Sequence, residues 1–338
     1  MTNDSVFFEG TRLKVYSVNT VVIGAGAAGL NAALTLFDKG QKDIVILTDF
    51  LEESTTFQSA APEQLYGKLA LWKGTADSPL RMAKALTAVG SMDGDMALTA
   101  AASSQRSFQR LAEMGVDFPV NQWGEYPAKD PEKRCSSAGP QTARKIQEAL
   151  MKQVREKDIQ LFEGYQVVRI FTDEQGENVI GLLALNRSGI REGYQRYALF
   201  NCTNVVAAAG APAGLFSRQA YPARHGSLLG MALEAGVRAV NLTDWQFGLC
   251  GKELPILITG PLLAAEPRLI SVDSAAKEFL KIYIPDPVSR KEALKRRSES
   301  WGFEVKKVRA GGSALIDLVV WEEQRQGLKV YLDFTHNS

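Results

Sequence analysis

Three glycines, Gly24, Gly26 and Gly29, stand in "VVIGAGAAGLNAAL", residues 21–34, between an apolar run and an alanine-rich segment. The spacing G-x-G-x-x-G suits a backbone that must come close to an anion. Gly24 makes the tight turn, Gly26 lets the chain approach a pyrophosphate, and Gly29 lets the following helix pack on the preceding strand. The first turn of that helix, with Ala27 and Ala28, offers backbone N–H donors and the positive end of a helix dipole. A carboxylate, Asp49, lies 20 residues beyond Gly29 at the end of "DIVILTD". That distance suits acceptance of hydrogen bonds from a ribose hydroxyl. Together these residues point to dinucleotide binding.

For this chemistry to work, the glycines must sit between a strand and a helix. "NTVVI" is β-branched and apolar throughout, as a parallel strand covered on both faces should be, which predicts a strand at about 19–23. "AGLNAALTLFDKG" carries Leu30, Leu34 and Phe37 at helical spacing, with Gly40 placed to end the helix. A nicotinamide-binding domain would continue in regular βα units. Here "TTFQSAAPEQLYGKLALWKGTADSPLRMAKALTAVGSMDGDMA" is an irregular loop followed by helical segments, which reads as an inserted, ligand-covering region. The amphipathic "QTARKIQEALMKQVREKD" comes later. "IQLFEGYQVVRIFTDEQGENVIGLLALNR" then alternates like antiparallel strands with a turn at Gly176, and "NCTNVVAAAGAPAGLF" is a further apolar strand ending in small residues. A returning strand that ends at Ala209 and Gly210 is the kind that flavin-adenine folds place beside the pyrophosphate.

Composition narrows the class. The 338 residues carry 39 Lys plus Arg against 38 Asp plus Glu, with 45% hydrophobic residues. No long run of one sign suggests a nucleic-acid groove or a polybasic membrane patch. Cys135, Cys202 and Cys250 stand far apart, without a C-x-x-C pair, which fits a reducing compartment and a cytoplasmic address. No apolar run reaches the roughly 18 residues of a membrane-spanning helix, and "MTNDSVFFEGTRLKVYSVN" lacks the basic start and apolar centre of a signal peptide. Small molecules and proteins are the expected partners.

The order "VVIGAGAAGLNAAL", "SSAGPQTARKIQEAL", "NVVAAAGAPAGLF", "GMALEAGVRAVNLTDWQFGL" and "KVYLDFTHN" resembles the flavoprotein-subunit family of succinate dehydrogenase and fumarate reductase, to which aspartate oxidase also belongs. The resemblance runs from about residue 17 to 337. It implies an α/β fold: a Rossmann-like, three-layer FAD/NAD(P)-binding domain with a parallel sheet, followed by a partial α+β capping domain. The implied domains are 1–245, with an inserted helical region at about 54–150, and 246–338. It implies FAD as cofactor, held by Gly24, Gly26, Ala27, Ala28, Gly29, Asp49, Thr56, Val167, Ala209 and Gly210. A small carboxylate substrate is implied between cap and flavin.

Departures from the family pattern shape the expectation. "STTFQSAAPEQ" has no histidine where members with covalent flavin carry one, so the FAD is expected to be noncovalent. Where the family's flavin-side strand ends A-T-G-G, this chain has Ala208, Ala209, Gly210 and Ala211. The proton-delivering cap arginine is opposite Ile316 in "IDLVVWEE", with Asp317 opposite the family's aspartate. An isoleucine cannot shuttle protons. Arg268, Arg290 and Arg309 are substitutes for it, Arg268 in "EPRLIS" having the best claim by the resemblance; His225 is a second candidate proton donor or ligand contact. The family pattern continues beyond Ser338 through a further lobe, so the chain is expected to be a truncated member or to take that lobe from a second subunit. Three functions follow: an FAD oxidoreductase, a degenerate flavoprotein subunit acting as an interaction module, and an NAD dehydrogenase, which the irregular insertion disfavours.

Overall fold

The computed structural model describes the chain apart from residues 1, 9–10, 60–63, 71–76, 89–91, 128–133, 188–195, 212, 217–218, 220–227, 241, 243–247, 254–257, 259, 274, 300–314 and 337–338. It divides into two compact units. The first comprises Met1–Ser59, Ser104–Pro127 and Gln141–Val240; the second comprises Ala60–Ser103, Ala128–Pro140 and Asn241–Ser338. The boundary expected at 245/246 falls outside the described residues.

Two sheets and a helical layer build the first unit. The parallel sheet has the order β11-β3-β4-β7, from β3 (Thr20–Ile23), β4 (Ile44–Thr48), β7 (Gln160–Glu163) and β11 (Asn204–Ala207). Every residue of β3 and β4 is buried, which is why both read as unbroken apolar runs. Side chains alternate across the strand. Val21, Ile23, Val45 and Leu47 face a second sheet through a core with Tyr16, Val167, Leu182, Ala184, Ala198 and Phe200. On the helical side, α1 (Ala27–Asp38) packs on β3 and β4, burying Leu30, Ala33 and Leu34, and against α5 (Thr142–Glu156), which buries Ile146, Leu150 and Val154 one turn apart. Each such Val, Ile or Leu contributes about 1.5–3 kcal/mol by leaving water. The three layers and the parallel sheet agree with the expected fold class.

The second sheet has the order β1-β2-β10-β9-β8, from β1 (Thr2–Phe8), β2 (Thr11–Ser17), β8 (Tyr165–Thr172), β9 (Val179–Asn186) and β10 (Tyr197–Asn201). Gly176 turns β8 into β9 at φ +73°, as the alternation predicts. One feature corrects the sequence reading and another goes beyond it. "QLFE", expected among the antiparallel strands, is instead β7 of the parallel sheet, separated from β8 by the single residue Gly164. β1 pairs antiparallel with β2, which in turn runs parallel to β10.

In the second unit, β12 (Arg268–Val272) is flanked antiparallel by β13 (Ala276–Glu278) and β14 (Lys329–Asp333). Among the described residues, helices at Gly260–Ala264, Leu280–Tyr283, Pro287–Glu299 and Leu315–Arg325 accompany this sheet. Their core joins Leu263, Leu269, Phe279, Leu280, Leu294, Ile316, Val319 and Val320. In the charge-rich helix Pro287–Glu299, Arg297 is fully buried, its guanidinium paired with Asp317 (Nε–Oδ2 2.6 Å, Nη2–Oδ1 3.1 Å). Among the described residues no helix is long and apolar enough to cross a membrane.

Candidate functional site

The C-terminal ends of β3, β4 and β11 open onto one cavity of 450 Å³. The glycine turn forms its floor. Gly24 has φ +107°, and a Cβ there would overlap the carbonyl oxygen of Ala208. A Cβ at Gly29 would overlap the carbonyl oxygen of Gly24 and press on Val22. These two glycines are therefore demanded by the fold itself. Gly26 differs: the nearest atom to a Cβ there is Thr56 Oγ1, at 3.4 Å, an ordinary contact. The chain does not need a glycine at 26 for its own packing, so the space beside it is available to a ligand.

The cavity's other walls converge from distant parts of the sequence. Gly26 caps α1, whose first turn lies at the cavity with Ala27 and Ala28. The short helix Thr55–Gln58 is capped by Ser54, whose Oγ accepts from Phe57 N–H at 3.1 Å, and Thr56 Oγ1 accepts from Ala27 N–H at 3.2 Å. Ala207, Ala208, Ala209 and Gly210 close the side beyond β11, and Tyr165, Gln166 and Val167 the side at β8. The Tyr165 hydroxyl is pushed up by burial, with Tyr16 beside it adding to the rise.

Asp49 lines the same cavity, but its carboxylate is also engaged by a residue the sequence did not suggest. Arg187 Nε lies 2.6 Å from Asp49 Oδ1, and Arg187 Nη2 donates to Gln166 Oε1 at 2.7 Å. A ribose hydroxyl at Asp49 would share the carboxylate with this guanidinium. Arg187 follows β9 directly, and no turn or spacing signal linked it to the end of β4.

Nine of the ten expected cofactor residues line this one cavity: Gly24, Gly26, Ala27, Ala28, Asp49, Thr56, Val167, Ala209 and Gly210. Gly29 lies beneath it, packed on Gly24 and Val22. Arg268 belongs to the second unit, where it bonds Asp333 across β12 and β14, with Nε–Oδ2 at 3.0 Å. Asp333, which also takes hydrogen bonds from Thr335, is held well below the usual carboxylate range. His225 and Arg309 lie outside the described residues. Arg290 donates to the carbonyls of Ile284 and Pro285. Among the described residues no group of three or more His, Cys, Asp or Glu could hold a metal ion.

The residues present fit an ADP-containing cofactor. A helix N-terminus and a glycine turn accept a pyrophosphate, and a carboxylate at the end of the adjacent strand suits a ribose.

Comparison with known proteins agrees. L-aspartate oxidase of Streptomyces coelicolor is 25% identical over 239 residues, covering 68% of this chain and 40% of that protein. A solved quinol-fumarate reductase with menaquinol matches at TM-score 0.67 and 21% identity, over 95% of this chain and 55% of that one. Mycobacterium smegmatis Sdh1 in complex with UQ1 matches at TM-score 0.66 and 21% identity, over 88% and 52%. The chain thus spans about half the length of these structures and less of the oxidase. The profile of the FAD binding domain matches residues 19–311, most of the chain, and the protein belongs to that FAD-binding family.

Proposed function

We propose that this chain is the FAD-binding part of an oxidoreductase of the succinate dehydrogenase and fumarate reductase type, acting on a small carboxylate. The observation that carries it is the cavity at the ends of β3, β4 and β11, with Gly26 unconstrained by the protein and the first turn of α1 beside it. Bound FAD would supply a ring that exchanges hydride with substrate. The chain's own residues would bind and orient it: Gly26, Ala27 and Ala28 at the pyrophosphate, Asp49 at the ribose, and Ala209 and Gly210 as the small-residue wall. With no histidine in residues 54–64, the attachment is noncovalent. Arg268, by the resemblance and on release from Asp333, and His225, by departure from the family pattern, are candidate groups toward the carboxylate, and a second subunit is the source of further cap or of electrons.

One observation favours a second reading, an interaction module that keeps a folded flavin-type core. Ile316, matched to the family's proton-delivering arginine, is fully buried among apolar side chains. A positioned acid is typically worth about 10²–10⁴-fold, and no acid stands at that position. The test is an anaerobic assay of the FAD-loaded chain with a reduced viologen and fumarate, beside Ile316→Arg. The chain alone is expected to show little or no fumarate reduction. Turnover at about 1–10³ s⁻¹ would reject the interaction-module reading. Carboxylate-dependent reoxidation of the reduced flavin, even when slow, supports the oxidoreductase; its absence with a wide set of unsaturated and amino carboxylates would count against it.

A further inference from the structure

α5 buries two polar side chains, Thr142 at its start and Gln147 beside its apolar stripe, and Gln147 is 3% exposed. Its amide joins three points that are 93 or more residues away in sequence. Nε2 donates to the carbonyl of Ala25 at 3.0 Å and to the carbonyl of Leu51 at 3.3 Å. Oε1 accepts from Ser54 Oγ at 2.7 Å. The two carbonyls can only accept, so the orientation of the amide is fixed: its two donors meet two acceptors and its oxygen meets the hydroxyl. Ala25 lies inside the glycine turn. Ser54 caps the short helix that presents Thr56 to Ala27.

We propose that Gln147 is a positioning residue for the dinucleotide. Its amide fixes the separation between the glycine turn, which would hold the pyrophosphate, and the 51–56 segment, which closes over it. The inference rests on the FAD reading above. Gln147 touches no cofactor itself; it acts through Ala25 and Ser54. Removing it frees the two walls to drift apart, and productive binding tolerates displacements of only about 0.5 Å. A carboxylate in its place would face two carbonyl oxygens without a proton to give them, while its other oxygen still accepts from Ser54.

The test compares Gln147→Glu, Gln147→Leu and Ser54→Ala with the unaltered chain, measuring FAD affinity by flavin fluorescence titration and folding by melting without cofactor. At neutral pH, Gln147→Glu is expected to bind FAD roughly tenfold or more weakly, from the loss of two buried hydrogen bonds. Its affinity should recover partly as pH falls from about 8 to about 5, where a buried carboxyl regains a donating proton. The unaltered chain should show no such recovery. Gln147→Leu should bind weakly at every pH, and Ser54→Ala, which keeps both amide donors, should lose only about threefold. If Gln147→Leu fails to fold, the Gln147→Glu pH profile decides, and if both fail, Ser54→Ala does. Affinity in Gln147→Glu equal to that of the unaltered chain, or a loss that acid does not relieve, overturns the inference; so does unchanged affinity in Ser54→Ala. Failure of the unaltered chain to bind FAD would instead overturn the FAD reading on which it rests.

Discussion

The two units use small and charged residues in opposite ways. In the first, a glycine not required by packing stands beside a helix N-terminus and a cavity. In the second, buried and part-buried charges are turned on each other: Arg297 on Asp317 in the interior, Arg134 on Asp77 at 2.8 Å, and Arg268 on Asp333 at the sheet. Polar groups facing a cavity keep their capacity for a ligand, whereas groups that satisfy one another stabilise the fold and leave little to offer a substrate. Asp49 is intermediate, lining the cavity while paired to Arg187.

Breaking the inward pairing should have the largest effect. Arg297→Ala leaves Asp317 buried without its partner and should cost about 3–5 kcal/mol, read by chemical denaturation. The double change Arg297→Met with Asp317→Leu should restore most of it, since two apolar side chains need no partner; a double variant as unstable as the single would show that the cost lies elsewhere. Next come the glycines. Gly24→Ala and Gly29→Ala push a methyl group into backbone and should lose about 1–3 kcal/mol each, whereas Gly26→Ala should leave the melting of the cofactor-free protein nearly unchanged. Equal losses at all three positions would remove the distinction between a structural and a ligand-facing glycine.

Asp49→Ala should weaken FAD binding by about 1.5 kcal/mol, the low end for a hydrogen bond to a charged group, because Arg187 already takes part of the carboxylate. Unchanged affinity by titration would take Asp49 out of the site. The smallest effect concerns acid. Burial raises the Asp77 carboxyl, but hydrogen bonds from Arg134, Ala70 and Ser78 outweigh this and hold it below its ordinary value of 3.8. A lowered folded-state value means stability that is present above about pH 4 and is lost as pH falls through the folded value. Asp77→Asn should flatten that acid limb by about 1 kcal/mol, and an unaltered limb would assign it to other carboxylates.

Local signals made the nucleotide half legible. β3, the turn and α1 each follow from a few adjacent residues, so "TVVI", three glycines and the spacing of Leu30 and Leu34 placed them together. The wall beyond β11 follows from an apolar strand ending in small residues, whereas the wall at β8 follows from the resemblance alone. What stayed hidden depends on contacts between distant segments. Gln147 reads as one more polar residue of a helix, since Ile146, Leu150 and Val154 alone define the stripe. Arg297 lies in a run rich in charge, where burial is the exception. Arg187 meets Asp49 only because β9 returns beside β8. The break at Gly164 leaves no local signal, because the strands on either side share one apolar pattern while belonging to different sheets.

Whether the first unit holds FAD at the glycine turn is decided by an FAD titration of the purified chain beside Gly26→Val, with both melted in the absence of cofactor. A valine there would fill the space of the pyrophosphate rather than of the core. The unaltered chain should show saturable one-to-one binding with the visible flavin band, Gly26→Val should show none, and the two should melt alike without cofactor. Equal flavin content in both proteins would contradict it.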